Sequence, residues 1–395
     1  MSNFKVVFSL KQHTPIIHFQ SSQKGATLRA TELKPKLDRF LMEHAFGNDK
    51  SQYKDFLVSG KEKAFDYKVT ISQDLSKSED IETINYKGKE DKNPLYFGNM
   101  GDGEKKKFKK NPQPIKVTFF TFKKDLLGIL EEYFEAFLAN TNFGTRQSKG
   151  FGSFYLTKPF DMNLIKYKTY NFSSNSNNWE KDIKDFYSFL RQGINLPKGN
   201  DTRFYTKPAI FLYMKQKNLT WDKKAIKAHY FKTYLEEQKD EHQDKDNCVN
   251  FEGTEQYIVR DLFGLSVSQE WKKPYYKSIE KEDVQKDKNK KPIIQRFKSP
   301  ITFKVIMTSS GVDIYFWADN SVNDILNQEF IIKIVDKGRV QKDDLKLKTL
   351  QSFSFQEFFD FTFNLDLSKV VENKYQNQPE YTKLVRIFKE IKENK

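Results

Sequence analysis

The sequence is poor in the groups from which many catalytic and structural centres are built. Cys248 is the single cysteine among 395 residues. A lone thiol forms no intrachain disulfide, and no cysteine-type zinc site can be assembled within one chain. Histidine is scarce as well, at five residues: His13, His18, His44, His229 and His242. No His-Asp dipeptide and no aspartate-rich cluster points to a metal nuclease, and neither metal nor cofactor is expected. No apolar run approaches the roughly 20 residues that span a bilayer. The opening MSNFKVVFSLKQHTPIIHF carries polar residues throughout, unlike a signal peptide. A cytoplasmic protein with no membrane partner is therefore expected.

Positive charge and aromatic rings are abundant instead. Lys and Arg number 68 against 53 Asp and Glu, a net charge of +15, and aromatics make up 15% of the chain. Such an excess favours an acidic partner, most often nucleic acid. A/T-rich codons would also raise Lys, Asn, Phe and Tyr. They would raise Glu and Asp too, so codon usage does not readily account for the imbalance.

Hydrophobic periodicity divides the chain into elements. FKVVFSL (4–10), AFDYKVTI (64–71), IKVTFFTF (115–122) and FGSFYLT (151–157) read as strands. LRATELKPKLDRFLMEHAF places Leu33, Leu37, Leu41 and Ala45 at four-residue steps, the stripe of an amphipathic helix. Thr27 or Thr31 is its candidate cap, and Pro35 suggests a regular start near 34. KDLLGILEEYFEAFLAN (124–140) is a second helix, with Leu126, Leu130, Tyr133, Phe134 and Phe137 on one face. The order strand, helix, strand, strand, helix, strand is the βαββαβ ferredoxin-like arrangement, shared with the RRM module. The fold class expected is α+β: tandem ferredoxin-like domains over 1–165 and 166–395 with inserted basic loops, the second domain degenerate and helical at its C-terminus.

The second half is less regular. A polar linker opens 170–200, and one or two strands are expected over 202–215. A helix capped by Thr220 is expected over 220–239 and another over 255–265, ended by Gly264. Residues 299–319 read as a hairpin turned at Ser310-Gly311. FSFQEFFDFTF and residues 381–395 read as helices.

GTRQSKGFGSFY (144–155) stands out between the second helix and the fourth strand. It follows a helix and opens a strand, so it is not a dinucleotide fingerprint, and without Gly-Lys-Ser/Thr it is not a P-loop. Three glycines beside two cations can offer backbone amides, Arg146 and Lys149 to a phosphodiester. An ordinary helix-to-strand connection is the plainer alternative.

This turn resembles the Gly-rich loop of the RAMP superfamily of repeat-associated CRISPR proteins. HTPIIHF followed by LRATELKPKLDRFL, then DLFGL and QRFKSPITF, resemble in their order the cap subunit of type III-B (Cmr) RNA-targeting effectors. Pro35 stands where that family more often has glycine. The resemblance implies a non-catalytic subunit that holds the 3′ region of a CRISPR guide RNA and its paired target RNA, beside other RAMP subunits, in antiviral defence. It implies RNA contacts by Arg29, Lys34, Lys36 and Arg39 on the first helix. Further contacts would come from Arg146, Lys149 and the backbone at Gly144, Gly150 and Gly152, and from Arg296 and Lys298 beside the Ser-Pro element. The basic run KKKFKK (105–110) suits backbone tracking, with Phe108 placed to stack on a base.

Two alternatives use other residues. Some RAMP relatives cut CRISPR repeats with a histidine acid or base, which would draw on His13 and His18. An assembly role would draw on SFSFQEFFDFTF as an interface, although such a segment suits a buried core better.

Overall fold

The computed structural model describes residues 4–16, 28–74, 76–77, 79–81, 85–86, 89–90, 108–198, 201–222, 226, 229–230, 256–265, 268–271, 277–336 and 339–394. The first elements are β1 (Lys5–Gln12), α1 (Ala30–His44), β2 (Lys68–Ser72), β3 (Ile115–Phe120), α2 (Lys124–Asn140), β4 (Phe154–Leu156), β5 (Tyr170–Ser174) and α3 (Trp179–Arg191). Next come β6 (Ile194–Lys198), β7 (Asp201–Thr206), α4 (Ala209–Gln216), β8 (Thr220–Trp221), β9 (Gln256–Ile258), β10 (Ser268–Trp271) and β11 (Lys277–Asp283). The chain closes with β12 (Ile301–Met307), β13 (Val312–Ala318), β14 (Glu329–Asp336), β15 (Arg339–Thr349), α5 (Phe355–Phe363) and α6 (Pro379–Glu393). The class is mixed α+β with several antiparallel sheets. Two compact units divide the chain: Met1–Lys184 with Thr302–Trp317 and Glu393–Lys395, and Asp185–Ile301 with Ala318–Lys392.

In the first unit the sheet order is β2-β3-β1-β4, every pair antiparallel. Alternation gives this sheet two unlike faces. Val6, Phe8, Leu10, Val69, Ile71, Ile115, Val117 and Phe119 join one core with Leu33, Leu37 and Leu41 of α1 and Leu126, Leu130, Phe134 and Phe137 of α2. Each fully buried Leu or Phe contributes about 1.5–3 kcal/mol relative to exposure. A second, three-stranded sheet in this unit runs β12-β13-β5. The hairpin expected at Ser310-Gly311 is present, closed by Thr308 N–H donating to the Gly311 carbonyl at 3.0 Å.

Helix α1 corrects the expected start near 34. It begins at Ala30, so Pro35 lies in its second turn. The missing proline N–H would have reached the Thr31 carbonyl; Thr31 and Pro35 are both exposed, where water can take its place. Arg29 holds the cap position without a side-chain capping hydrogen bond, and Thr31 is already helical. Thr27 lies outside the described residues.

Several other expectations also change. The 170–200 segment holds β5 and α3 rather than beginning as a linker. Tyr170 and Phe172 are buried at period two, and Trp179, Ile183, Phe186, Tyr187 and Leu190 at helical spacing. Only β7 of the 202–215 run is a strand; Pro208 then opens α4, which buries Ala209, Ile210, Tyr213 and Met214. Thr220 belongs to the strand β8 rather than to a helix, and the helical residues begin at Asp222. Instead of a helix over 255–265, β9 pairs in parallel with β15 and a single 3₁₀ turn, Arg260–Phe263, precedes Gly264. Long-range pairing overrides local preference at both places.

The six-stranded sheet of the second unit runs β8-β9-β15-β14-β11-β10, with β8–β9 and β9–β15 parallel. It does not repeat the four-stranded order of the first unit. Its interior holds a compensated charge cluster, in which Asp222 accepts from Arg260 at 3.0 Å and from Lys281 at 3.2 Å, and Lys281 also reaches Asp261. Helix α5, the phenylalanine-rich segment considered as an interface, buries Phe355, Phe358, Phe359 and Phe363 and is core. Among the described residues no helix is long and apolar enough to cross a membrane.

Candidate nucleic-acid interface

The cations of α1 fall into two groups. Lys34 is spent internally: its Nζ lies 3.0 Å from Asp38, donates to the Phe65 carbonyl at 2.7 Å and covers the Tyr67 ring at 3.7 Å. Burial raises the Asp38 carboxyl above its ordinary pKa, and the Lys34 charge opposes that shift. Lys36 is a tether to the Gly-rich turn. Its Nζ meets Glu32 at 2.7 Å, the Asn142 carbonyl at 2.9 Å and Gln147 Oε1 at 2.8 Å. Arg39 is exposed and Arg29 half-buried, so Arg39 is the one of the four most open to an outside anion.

The turn is held by the end of β1 and by β12. Thr14 Oγ1 donates to the Gly150 carbonyl at 2.6 Å and accepts from Ser153 N–H at 2.9 Å. Asn142 Nδ2 donates to the Phe303 carbonyl at 2.7 Å. The three glycine amides expected to face a phosphate are already engaged. Gly144 N–H donates to Glu32 Oε1 at 2.7 Å, Gly150 N–H to the Gln147 carbonyl at 3.4 Å and Gly152 N–H to the Pro15 carbonyl at 2.8 Å. Close packing explains two of the glycines. A Cβ at Gly152 would stand 1.8 Å from the Phe143 carbonyl oxygen, and one at Gly150 would stand 2.6 Å from Val305, both at positive φ. Lys149 is buried, its Nζ 5.9 Å from the Phe303 ring centre. These contacts pack the turn as a joint, with Lys149 buried and the three glycine amides engaged within the protein, and Arg146, at φ 61°, is half-buried.

His13 is built into the same joint. Its Nδ1 accepts the Met307 N–H at 2.9 Å, which fixes the neutral tautomer with the proton on Nε2. Burial first, then the charges of Lys304, Lys11 and Lys110, pushes its pKa down to about 3. A proton-transfer role at neutral pH has no support in this geometry. His18 and residues 105–107 lie outside the described residues, as do the side chains of Phe108 and Lys109. Among the described residues no three His, Cys, Asp or Glu side chains gather as a metal site requires.

In the second unit the DLFGL and RFKSP segments pair directly, Leu265 N–H donating to the Phe297 carbonyl at 2.9 Å. Tyr187 Oη donates to the Phe263 carbonyl at 2.7 Å, and Arg191 Nη2 to the Gly264 carbonyl at 3.1 Å. That support leaves Arg296 and Lys298 exposed.

One surface escaped the sequence reading. The face of the first sheet away from α1 and α2 carries Lys5, Val7, Ser9 and Lys11 from β1, Lys116, Thr118 and Phe120 from β3, and Lys68, Thr70 and Ser72 from β2. All are exposed or half-exposed, and none of these positions is acidic. The period-two alternation of KVVFSLK was the available signal. It marks two faces but does not say which strands stand side by side.

Two family models match the sequence: the Cmr1 N-terminal domain over residues 3–194 and the Cmr1 C-terminal domain over residues 205–393. The crystal structure of Cmr1 from Pyrococcus furiosus in its apo form aligns at 12% identity and a TM-score of 0.37, covering 80% of this chain and 89% of that one. No curated protein sequence gives a significant match. Since the two models leave only short stretches unmatched, on the sequence evidence of both halves the chain belongs to the Cmr1 family.

Proposed function

We propose that this protein is an RNA-binding subunit of a type III-B CRISPR (Cmr) effector complex, acting in antiviral defence. In this role it holds the 3′ region of the guide RNA and its paired target beside other RAMP subunits. The match of both halves of the chain to the Cmr1 family carries this reading. The all-antiparallel β2-β3-β1-β4 order also supports a ferredoxin-like first domain. The role is one of positioning: cations fix the ribose-phosphate backbone, and base pairing between the RNA strands reads sequence. Arg29, Arg39 and Arg146 are the first-unit contacts, with Arg296 and Lys298 in the second. The neutral, hydrogen-bonded state of His13 favours this non-catalytic role over repeat cleavage.

Binding of the full chain to a fluorescent single-stranded RNA, followed by anisotropy across a salt series, tests the proposal. Arg39→Ala with Arg146→Ala should weaken binding alike on different sequences. It should also lower the log-salt slope by about 1.4, roughly 0.7 per lost phosphate contact. Binding by the unaltered chain that is absent, or indifferent to salt, would remove the RNA role.

A further inference from the structure

The open face of the first sheet has an order that only the strand register reveals. Phe120 lies directly between Lys5 of β1 and Lys68 of β2. The next row is Val7, Thr118 and Thr70, and the one after it Ser9, Lys116 and Ser72. Opposed side chains have their Cβ atoms about 4.5–5.5 Å apart, and successive rows are spaced by about 6.7 Å along the strands.

At the end of this ladder three rings form an exposed cluster. Phe122 meets Phe120 at 5.0 Å and Phe4 at 5.6 Å, both edge-on. Phe122 is 77% exposed and Phe4 40%, and Val7 on the open face is 44% exposed. Apolar area left in solvent at such density marks an interaction site. Among the described residues, Lys5, Lys11, Lys68 and Lys116 make no ion pair or side-chain hydrogen bond, unlike Lys34 and Lys36. Four uncommitted ammonium groups with no carboxylate among them would repel one another, so the occupant that relieves the face is a polyanion. Rings presented flat or edge-on among lysines suit bases that stack while their phosphates meet the cations.

We infer that this face is a binding platform for single-stranded RNA, with Phe120 and Phe122 stacking on bases and Lys5, Lys68 and Lys116 on the adjoining phosphates. The inference rests on the proposed RNA-binding role and adds a surface separate from α1 and the Gly-rich turn. Short polar side chains between the lysine rows, Ser9, Thr70, Thr118 and Ser72, leave room for a strand to lie along the sheet and offer hydroxyls to its riboses.

The test uses the full chain and a twenty-nucleotide oligouridylate in anisotropy titrations over a salt series. Lys5→Gln with Lys68→Gln should weaken binding at least about fivefold near 0.1 M salt and lower the log-salt slope by about 1.4. Phe122→Ala should weaken it by about fivefold to a hundredfold, the range for one stacked base, with the slope unchanged. Photocrosslinking of the unaltered chain to a 5-bromouridine oligonucleotide gives a readout that needs no variant; the modified peptide should contain Phe120 to Phe122. If Arg39→Ala/Arg146→Ala weakens RNA binding while the sheet-face variants and the crosslink map do not respond, the platform is wrong and the RNA-binding role stands. If the unaltered chain binds no RNA, both fall. Sheet-face variants that keep full RNA affinity but lose a co-expressed protein subunit would assign the face to protein and overturn the inference.

Discussion

At the scale of single residues, the first unit spends charged and titratable groups on holding backbone together. Lys304 is fully buried, and its ammonium donates to the carbonyls of Leu138 at 2.7 Å, Thr141 at 2.9 Å and Phe154 at 3.0 Å. Leu138 and Thr141 close the C-terminus of α2, where carbonyls lack helical partners and a cation is favoured. Burial drives the Lys304 pKa well below its ordinary value, while three accepting carbonyls call for all three protons. Lys304→Met keeps much of the apolar stem and strands the carbonyls, at about 1–3 kcal/mol for each group left unsatisfied. A loss of about 3–5 kcal/mol in denaturant unfolding is expected. His13 predicts a pH dependence. Its pKa is about 6.5 unfolded and about 3 folded, so between those values the unfolded chain binds the extra proton. Stability from this group is therefore complete above pH 6.5 and falls as the pH drops toward 3, by at most about 1.4 kcal/mol per unit. His13→Asn can still accept the Met307 N–H and should flatten that part of the curve of unfolding free energy against pH.

Elements show what could be read from sequence and what could not. Helix α2 matches its expected span because its apolar stripe is local and continuous, and β1 and β3 alternate plainly. The β12–β13 hairpin was legible as a hairpin, yet its place beside β5 in the first unit depends on Val312 pairing with Ser174 and Phe316 with Tyr170, far apart in sequence. The same limit applies to the site. Lysines on α1 are evident from spacing, but the commitment of Lys34 to Phe65 and of Lys36 to Asn142 and Gln147 is long-range. Glycines in the turn were equally visible. Their cause, the Phe143 and Val305 atoms against them, appears only once β12 is in place. Two alanine substitutions separate a packing glycine from an incidental one. Gly152→Ala meets backbone at 1.8 Å and a φ of +67°, so at least about 3 kcal/mol should be lost. Gly128→Ala, exposed within α2 with nothing within 4 Å, should gain about 0.5–1 kcal/mol. Thermal unfolding of the two variants beside the unaltered chain measures both; equal effects would mean that the turn yields and its glycines are not joints.

For the whole molecule, the question is whether a net charge of +15 is organised or merely accumulated. Diffuse lysines repel one another and raise solubility, but they release few counterions on any one strand. Organised cations act together. If one strand engages both proposed surfaces, Lys5, Lys68 and Lys116 on the sheet face and Arg29, Arg39 and Arg146 at α1 and the turn, about five phosphates would be neutralised even with one cation left out. At roughly 0.7 per phosphate the log-salt slope would be about 3.5, so a fourfold rise in salt should weaken RNA binding by roughly a hundredfold. A slope near 1 would instead mean that the positive charge is spread over the surface without a track. Sequence should matter little in the same titrations, because the proposed contacts are to backbone and stacked rings and the pairing of guide with target carries the information. A homopolymer of uridine and a mixed-sequence strand of equal length should therefore bind within a few-fold of each other and share one slope. A large preference for one sequence would require base-edge contacts, such as an arginine bidentate to guanine, and would overturn the arrangement of backbone contacts and stacked rings.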